Sequence, residues 1–452
     1  MKYKSLPQIQ LPKLLLGLVL VSSLTIGGST CLGDYRHCQK EYLISTRIPV
    51  TINQSELYKN VPVLPEFLYA KTWELVNDEF YDESFNGESW IYWKNKYQGK
   101  LTTLEDAHKA IETALFSLGD RYSRFLDEEQ FNDENSQIKA KLCGIGVQIS
   151  KNADQYLYII SPLDHSPAQK AGLKSGDEIV SINDIDAKGM SIPQAAKLIK
   201  GLASTKVNLG ILRGKDILKF MVERAEIPFK VVNAVKMLDS RIGYIRLNSF
   251  LSSNAYEEVK NAVLKLNNAQ GIILDLRDNP GGLLNNAINI SSLFLNTGNI
   301  VSTVDRHGYK STAPCNGKPI FAKPLVILVN HGSASASEIT SAALKENNRA
   351  KLIGETTYGK GLVQGVYHLL DGSGVNITIA RYLTPNGTDI NKVGIKPDEV
   401  VNLTNKDYQN HLGPWWTSLQ EPLALNNSKT NDIQLKIAVE SLKKSINQKN
   451  KS

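Results

Sequence analysis

From about residue 229 onward the chain alternates strand-like and helix-like segments, and no other feature limits its fold as strongly. GYIRLNSF, GIILDLR, PLVILVN and KLIGETT read as strands, with NAYEEVKNAVLKLNN, LLNNAINISSLFLN and SASEITSAALKENN as helices between them. Such alternation predicts a sheet with parallel strands covered by helices. Residues 142–226 have a different texture: short strands such as GIGVQI, YLYIIS, VNLGILRG and ILKFMVER, with a helix in SIPQAAKLIKG. From 61 to 141 the pattern is helical. FLYAKTWELVNDEFYD and TLEDAHKAIETALFSL place apolar residues at helical spacing, and DRYSRFL follows as a turn. Residues 403–452 form a C-terminal extension with a loop, GPWWTSLQ, a final helix, IQLKIAVESLKKSI, and a polar tail. The expected fold class is therefore α/β and multidomain, with a helical N-terminal domain at 61–141, a strand-rich module at 142–226 and an α/β core at 227–402. A length of 452 residues suits several domains at roughly 100–200 residues each.

The first thirty residues carry an address. Lys2, Lys4 and Lys13 precede the apolar run LLLGLVLVSSLTI, and Gly27, Gly28, Ser29 and Thr30 follow it. A basic start, a short apolar stretch and a small-residue exit make a signal peptide, so the chain is expected to be exported. The apolar run falls short of the roughly 20 residues that a spanning helix needs. Residues 31–60 read as an irregular tether. Cys31 follows the small residues as in a lipoprotein site, but Gly28 stands where such sites usually carry Leu. The four cysteines have no metal-binding spacing. A net charge of +7 is dispersed along the chain, without a basic run interleaved with aromatics, which argues against nucleic acid as a partner. It favours anionic partners or peripheral association with a membrane surface only slightly.

Three segments carry chemistry. The densest runs from His331 to Gln364, HGSASASEITSAALKENNRAKLIGETTYGKGLVQ. Ser335 lies at the start of a helix, where free amides and the helix dipole stabilise developing negative charge. A hydroxyl needs a base, and the nearby choices are His331, Glu338, Lys345, Glu346 and Lys360. Lys360 is preferred because flanking glycines let its loop turn into a site. It serves as a base only when desolvation leaves it neutral. Gln364 stands where its amide oxygen can hold the amine. His331 offers the rival Ser–His pairing, although its place on the strand-to-helix turn faces it away from the hydroxyl. The second segment, LDLRDNPGG (Leu274 to Gly282), is a strand end that exposes backbone amides as an anion nest, beside the amide of Ala336. The third is the 142–226 module. Gly144 and Gly146 make a loop ahead of an edge strand, and the helix near Ala195–Ile199 makes the other wall of a groove that captures a peptide C-terminus by strand addition.

With these motifs in order, the chain resembles the carboxyl-terminal processing, or tail-specific, proteases over nearly everything from Phe67 to the tail. The motifs are GIGV, SPAQKAGLKSGDEIVSIND, LDLRDNPGG, SASASE, YGKGLVQ and YLTPNGTDIN…GIKPD. The resemblance implies that 142–226 is a PDZ domain, with Gly144, Ile145, Gly146 and Val147 as its carboxylate-binding loop, and that the core is a crotonase- or Clp-like serine protease. It also implies Ser335 as nucleophile, Lys360 as general base, Gln364 as the residue orienting that lysine, and the Gly281 and Ala336 amides as the oxyanion hole, with no metal or cofactor. Glu346 stands where some members carry an aspartate. WELVNDEFYDESFNGESW is similar to the photosynthetic branch. That branch removes the C-terminal extension of a photosystem II reaction-centre precursor, so the implied partner is a protein with a free C-terminus and the implied compartment is the thylakoid lumen or periplasm. The rival readings are a general tail-specific periplasmic protease, a non-catalytic PDZ adaptor on the same scaffold, a Ser–His hydrolase, and an acyl-CoA-type enzyme of similar core topology.

Overall fold

Apolar residues at helical spacing are realised at the start of the described residues as α1 (Pro65–Glu79), α2 (Trp90–Lys96) and α3 (Leu104–Ser117). The computed structural model describes residues 64–139, 141–152, 155–163, 166–228, 230–410, 412–414 and 431–449. The signal peptide, the tether, Cys31, Cys38 and nearly all of GPWWTSLQ lie outside them. A capping box opens α3: Thr103 Oγ1 accepts from the Asp106 amide, and the Asp106 carboxylate accepts from the Thr103 amide. Leu68, Val76, Phe80, Trp90, Ile111 and Leu115 close one core. DRYSRFL turns at Asp120, whose carboxylate accepts the amides of Tyr122 and Ser123. Its second half then extends as β1 (Arg124–Leu126), because a strand from the far end of the chain pairs with it. Helix α4 (Glu128–Ile138) leads onward.

The next segment enters through β2 (Lys141–Gly144) and leaves through β9 (Ala225–Pro228), which pair as a two-stranded antiparallel ribbon. Between them lie β3 (Val147–Lys151), β4 (Leu157–Pro162), β5 (Glu178–Ile182), β6 (Ile185–Asp186), β7 (Lys206–Arg213) and β8 (Asp216–Glu223), with short α5 (Pro167–Lys170) and α6 (Ile192–Ile199). Their sheet runs β3-β4-β5-β7-β8, with β6 on β5, which leaves β3 at an edge. Ile145, Leu157, Ile159, Ile179, Val207 and Ile211 fill its core. Two ion pairs reach back to α4 from α6 and the residue that follows it, Lys197–Glu129 at 2.5 Å and Lys200–Asp133 at 2.8 Å.

The core begins with β10 (Val232–Met237), β11 (Ile242–Leu247), α7 (Ala255–Lys265), β12 (Gly271–Asp275) and α8 (Leu284–Ser292). It continues through β13 (Asn299–Asp305), β14 (Lys310–Pro314), β15 (Leu325–Val329), α9 (Ala336–Glu346) and β16 (Lys351–Gly354). After β17 (Leu362–His368), β18 (Gly374–Leu383), β19 (Glu399–Val400) and α10 (Asn405–Gln409), the described chain ends in α11 (Ile433–Lys449). The main sheet has the order β10-β11-β12-β15-β16-β19, parallel from β11 to β19. Strands β11, β12 and β15 are buried along their whole length, which accounts for their unbroken apolar sequences. α7, α8 and α9 share a core with one face, and α11 lays Leu435, Ala438, Leu442 and Ile446 on the other. The expected parallel sheet with helical cover is present. The alternation did not announce a second, antiparallel sheet, β1-β18-β13-β14 with β17 on β18, built from hairpins at Gly308 and Gly372. Among the described residues no helix is long and apolar enough to cross a membrane.

One buried ion cluster joins this architecture to the LDLRDNPGG turn. Arg277 is wholly buried and donates to Asp275 (2.6 and 3.0 Å), to Asp432 (2.8 and 3.0 Å) and to Gln434 Oε1 (3.0 Å). Asp432 also accepts the Leu435 amide, so the residue that starts α11 braces the turn from behind. Leu442 is wholly buried, and a side chain on Gly271 of β12 would collide with it at 2.9 Å. Leu442→Ala removes one of the four buried side chains by which α11 packs on that face. It should lower unfolding free energy by about 2–5 kcal/mol in denaturant titrations.

Candidate active site

Ser335 closes the turn from β15 into α9, with φ 54° and ψ −116°. Only glycine adopts that conformation without strain, and such strain is found where a side chain must be presented at a site. The turn leaves room for little else: Gly281 has φ +95°, and a Cβ there would sit 2.6 Å from the Ala334 carbonyl and 2.8 Å from Ser335 Cβ. The glycine of DNPGG thus lets the second segment pack directly on the serine turn. Among the described residues the Ala336 and Gly282 amides donate no hydrogen bond, whereas the Gly281 amide donates to Asn279 Oδ1 at 2.9 Å.

Ser335 and Lys360 line one cavity of about 940 Å³, together with Tyr122, Gly281, Gln364 and Tyr382. Two side chains join their backbones. The buried carboxylate of Glu338 accepts the Ser335 amide at 2.8 Å and the Lys360 amide at 2.9 Å, both on Oε2. Its Oε1 accepts the Thr357 hydroxyl at 2.5 Å and the Gly359 amide at 2.7 Å. The Tyr382 hydroxyl donates to the Ser335 carbonyl at 3.3 Å and also meets the Lys360 carbonyl. Burial pushes that phenol well above its usual range, which keeps it a donor. Sequence spacing offered Glu338 as a base. Its oxygens are instead filled by four donors, and it acts as a staple.

The Lys360 ammonium is held below the usual lysine range, chiefly by desolvation and then by Arg124, while Asp120 and Glu134 oppose the shift. No hydrogen bond joins its Nζ to Ser335 Oγ. The Nζ lies 4.6 Å from the centroid of the Tyr122 ring. Gln364 lines the cavity, but its amide nitrogen donates to Thr378 Oγ1 at 3.2 Å, and no bond reaches Lys360. Thr378 is itself tied to Asp120 at 2.5 Å. His331 is exposed and paired with Glu355 at 2.9 Å, outside the cavity lining. Glu346 accepts the Asn386 amide. Tyr122 and Tyr382 carried no signal in the sequence that could have picked them, because each comes from a segment distant from the serine turn.

The loop Gly144, Ile145, Gly146, Val147 sits between β2 and β3. Ile145 is wholly buried in the module's core, and Gly146 has φ +73°. The Ile145 carbonyl accepts from Ala168 at 2.8 Å and the Gly146 carbonyl from Leu163 at 2.9 Å. The Ile145 and Gly146 amides donate no hydrogen bond among the described residues.

The profile of peptidase family S41 matches residues 241–401, and that of the PDZ domain matches 135–212. A carboxyl-terminal-processing protease of Synechocystis sp. is 43% identical over 344 residues, covering 74% of this chain and 80% of its own length. The chain belongs to the carboxyl-terminal processing proteases of family S41. It is thus a serine-type peptidase with a PDZ domain. The carboxy-terminal processing protease CtpA of Bacillus subtilis is 41% identical, over 69% of this chain and 67% of that protein. The solved photosystem II D1 C-terminal processing protease is 31% identical and superposes with a TM-score of 0.52, over 79% of this chain and 96% of that one. Glu338→Gln replaces one acceptor oxygen by a donor in a pocket of four donors. It should leave the protein folded by circular dichroism while lowering kcat about 100-fold, since small displacements of reacting groups cost that much.

Proposed function

We propose that this protein is an exported endopeptidase that uses Ser335 and Lys360 as a catalytic pair to cut near the C-termini of its substrates. The observation that carries the reading is the single cavity on which both residues open, with their loops joined through Glu338 and Tyr382. Neutral Lys360 takes the proton of Ser335 Oγ as that oxygen attacks the scissile carbonyl. The oxyanion is held by amides at the serine turn, those of Ala336 and of the DNPGG loop, where Gly281 gives up its bond to Asn279 or Gly282 stands in. Lys360 then gives the proton to the departing amine, and water releases the acyl group. Gln364 steadies the lysine once it leaves its bond to Thr378. The loop of Gly144, Ile145, Gly146 and Val147 receives the substrate's terminal carboxylate, and the peptide extends along β3. No metal or cofactor enters these steps.

The substrate we propose is the C-terminal extension of the photosystem II reaction-centre precursor, processed in the thylakoid lumen or periplasm. The likeness to the D1 processing protease and to the cyanobacterial enzyme supports it, and the signal-like N-terminus fits such export. The broader reading, a tail-specific protease acting on many exposed C-termini, is favoured by the likeness to the Bacillus subtilis enzyme, whose name specifies no photosystem substrate. Product masses after incubation with the extended precursor and with unrelated tailed peptides separate the two.

Ser335→Ala and Lys360→Ala should each abolish cleavage of a peptide with a free C-terminus, and retained turnover in either would end the pairing. Because the base must be neutral, kcat/KM should rise with pH through the lowered Lys360 pKa and fall away below it. Amidating the substrate's C-terminus should raise KM with little change in kcat.

A further inference from the structure

The Lys360 ammonium makes neither a hydrogen bond nor an ion pair among the described residues, although it faces a cavity that contains charged and polar groups. What it touches is an aromatic face, the Tyr122 ring at 4.6 Å. That ring is fixed in place. The Arg121 guanidinium donates to the Tyr122 hydroxyl at 2.8 Å, stacks 4.9 Å from the same ring, and also bonds the hydroxyl of Tyr358. Tyr358 lies two residues before Lys360, so Arg121 ties the 120–124 turn to the loop that carries the lysine. The turn is tied in addition to β18, through Asp120 to Thr378 and through Ser123 Oγ to the Thr378 amide.

An aromatic face attracts an ammonium and offers nothing comparable to a neutral amine. We infer that Tyr122 is a positioning residue that parks protonated Lys360 away from Ser335, so that the base reaches the nucleophile only when a substrate chain entering the cavity displaces it from the ring. The inference rests on Lys360 being the base. The charged and titratable groups facing the amine are Asp120, Arg121 and Arg124 from the turn and β1, and Glu134 from α4. Tyr382 of β18 also lines the cavity, and Glu338 of α9 bonds the Lys360 amide. Of these, Arg121 alone bonds the Tyr122 side chain, and it loses that bond in any variant without the hydroxyl.

Two substitutions separate the ring from its hydroxyl. Tyr122→Phe keeps the aromatic face and loses the bond from Arg121; Tyr122→Leu keeps apolar bulk and loses the face. The amine's own titration is read in a Ser335→Ala background, as the pH dependence of Lys360 acetylation by acetic anhydride, followed by peptide mass spectrometry. Loss of the face removes a contact that favours the charged form. The acetylation midpoint should therefore move down by about half to one pH unit in the Leu variant and stay in place in the Phe variant. In the active protein, the acid limb of kcat/KM should move down by the same amount in the Leu variant alone. Equal midpoints in the two variants, or an equal shift in both, would overturn the inference. Full activity of Lys360→Ala would instead overturn the assignment of the base and leave the acetylation result to stand on its own. An acetylation shift without a shift in the activity profile would show that the ring holds the amine but does not gate it, and would overturn the parking role.

Discussion

The site depends on one buried carboxylate. Glu338 receives the amides of Ser335 and Lys360 on a single oxygen, so a residue on α9 sets the separation between a strand-to-helix turn and a loop 25 residues further along the chain. An unpaired carboxylate in that position would be costly to bury, and its four donors make burial tolerable. Tyr382 repeats the connection from the carbonyl side. Together they fix the two backbones, while the lysine ammonium makes no hydrogen bond among the described residues and rests against the Tyr122 ring.

A second constraint acts from behind. Arg277 has carboxylates on both sides, and one of them belongs to the segment that starts α11. Buried pairs of this kind contribute little net stability but are costly to break. Their effect is to fix geometry, and here the fixed object is the turn that carries Gly281. The C-terminal helix therefore supports the site as well as covering the sheet.

Much of the architecture was legible in the sequence because burial on both faces writes strands such as GIILD and LVILV as unbroken apolar runs between amphipathic helices. The antiparallel sheet was harder to read, since β17 and β18 mix exposed and buried positions and β1 is extended only because β18 lies beside it. Within the site, Ser335, Lys360 and the glycines around them stood out through local turn chemistry. Glu338 stood among the possible bases but its role as a staple was not visible, because spacing does not reveal whether a carboxylate's oxygens are already occupied. Tyr122 was invisible for a different reason: it meets Lys360 across 238 positions of chain, and no local pattern records such a meeting.

The backbone of Ser335 has a consequence for how chains on this scaffold change over time. A serine at φ 54° and ψ −116° is held against its own preference, and glycine would relax there. Folding alone therefore gives no reason to keep a side chain at 335. Where selection for turnover ends, drift should run downhill in energy at this position, and the scaffold should become steadier as its chemistry is lost. On the role proposed for Ser335, the identity of residue 335 is thus a record of whether a chain of this shape is still under selection to catalyse.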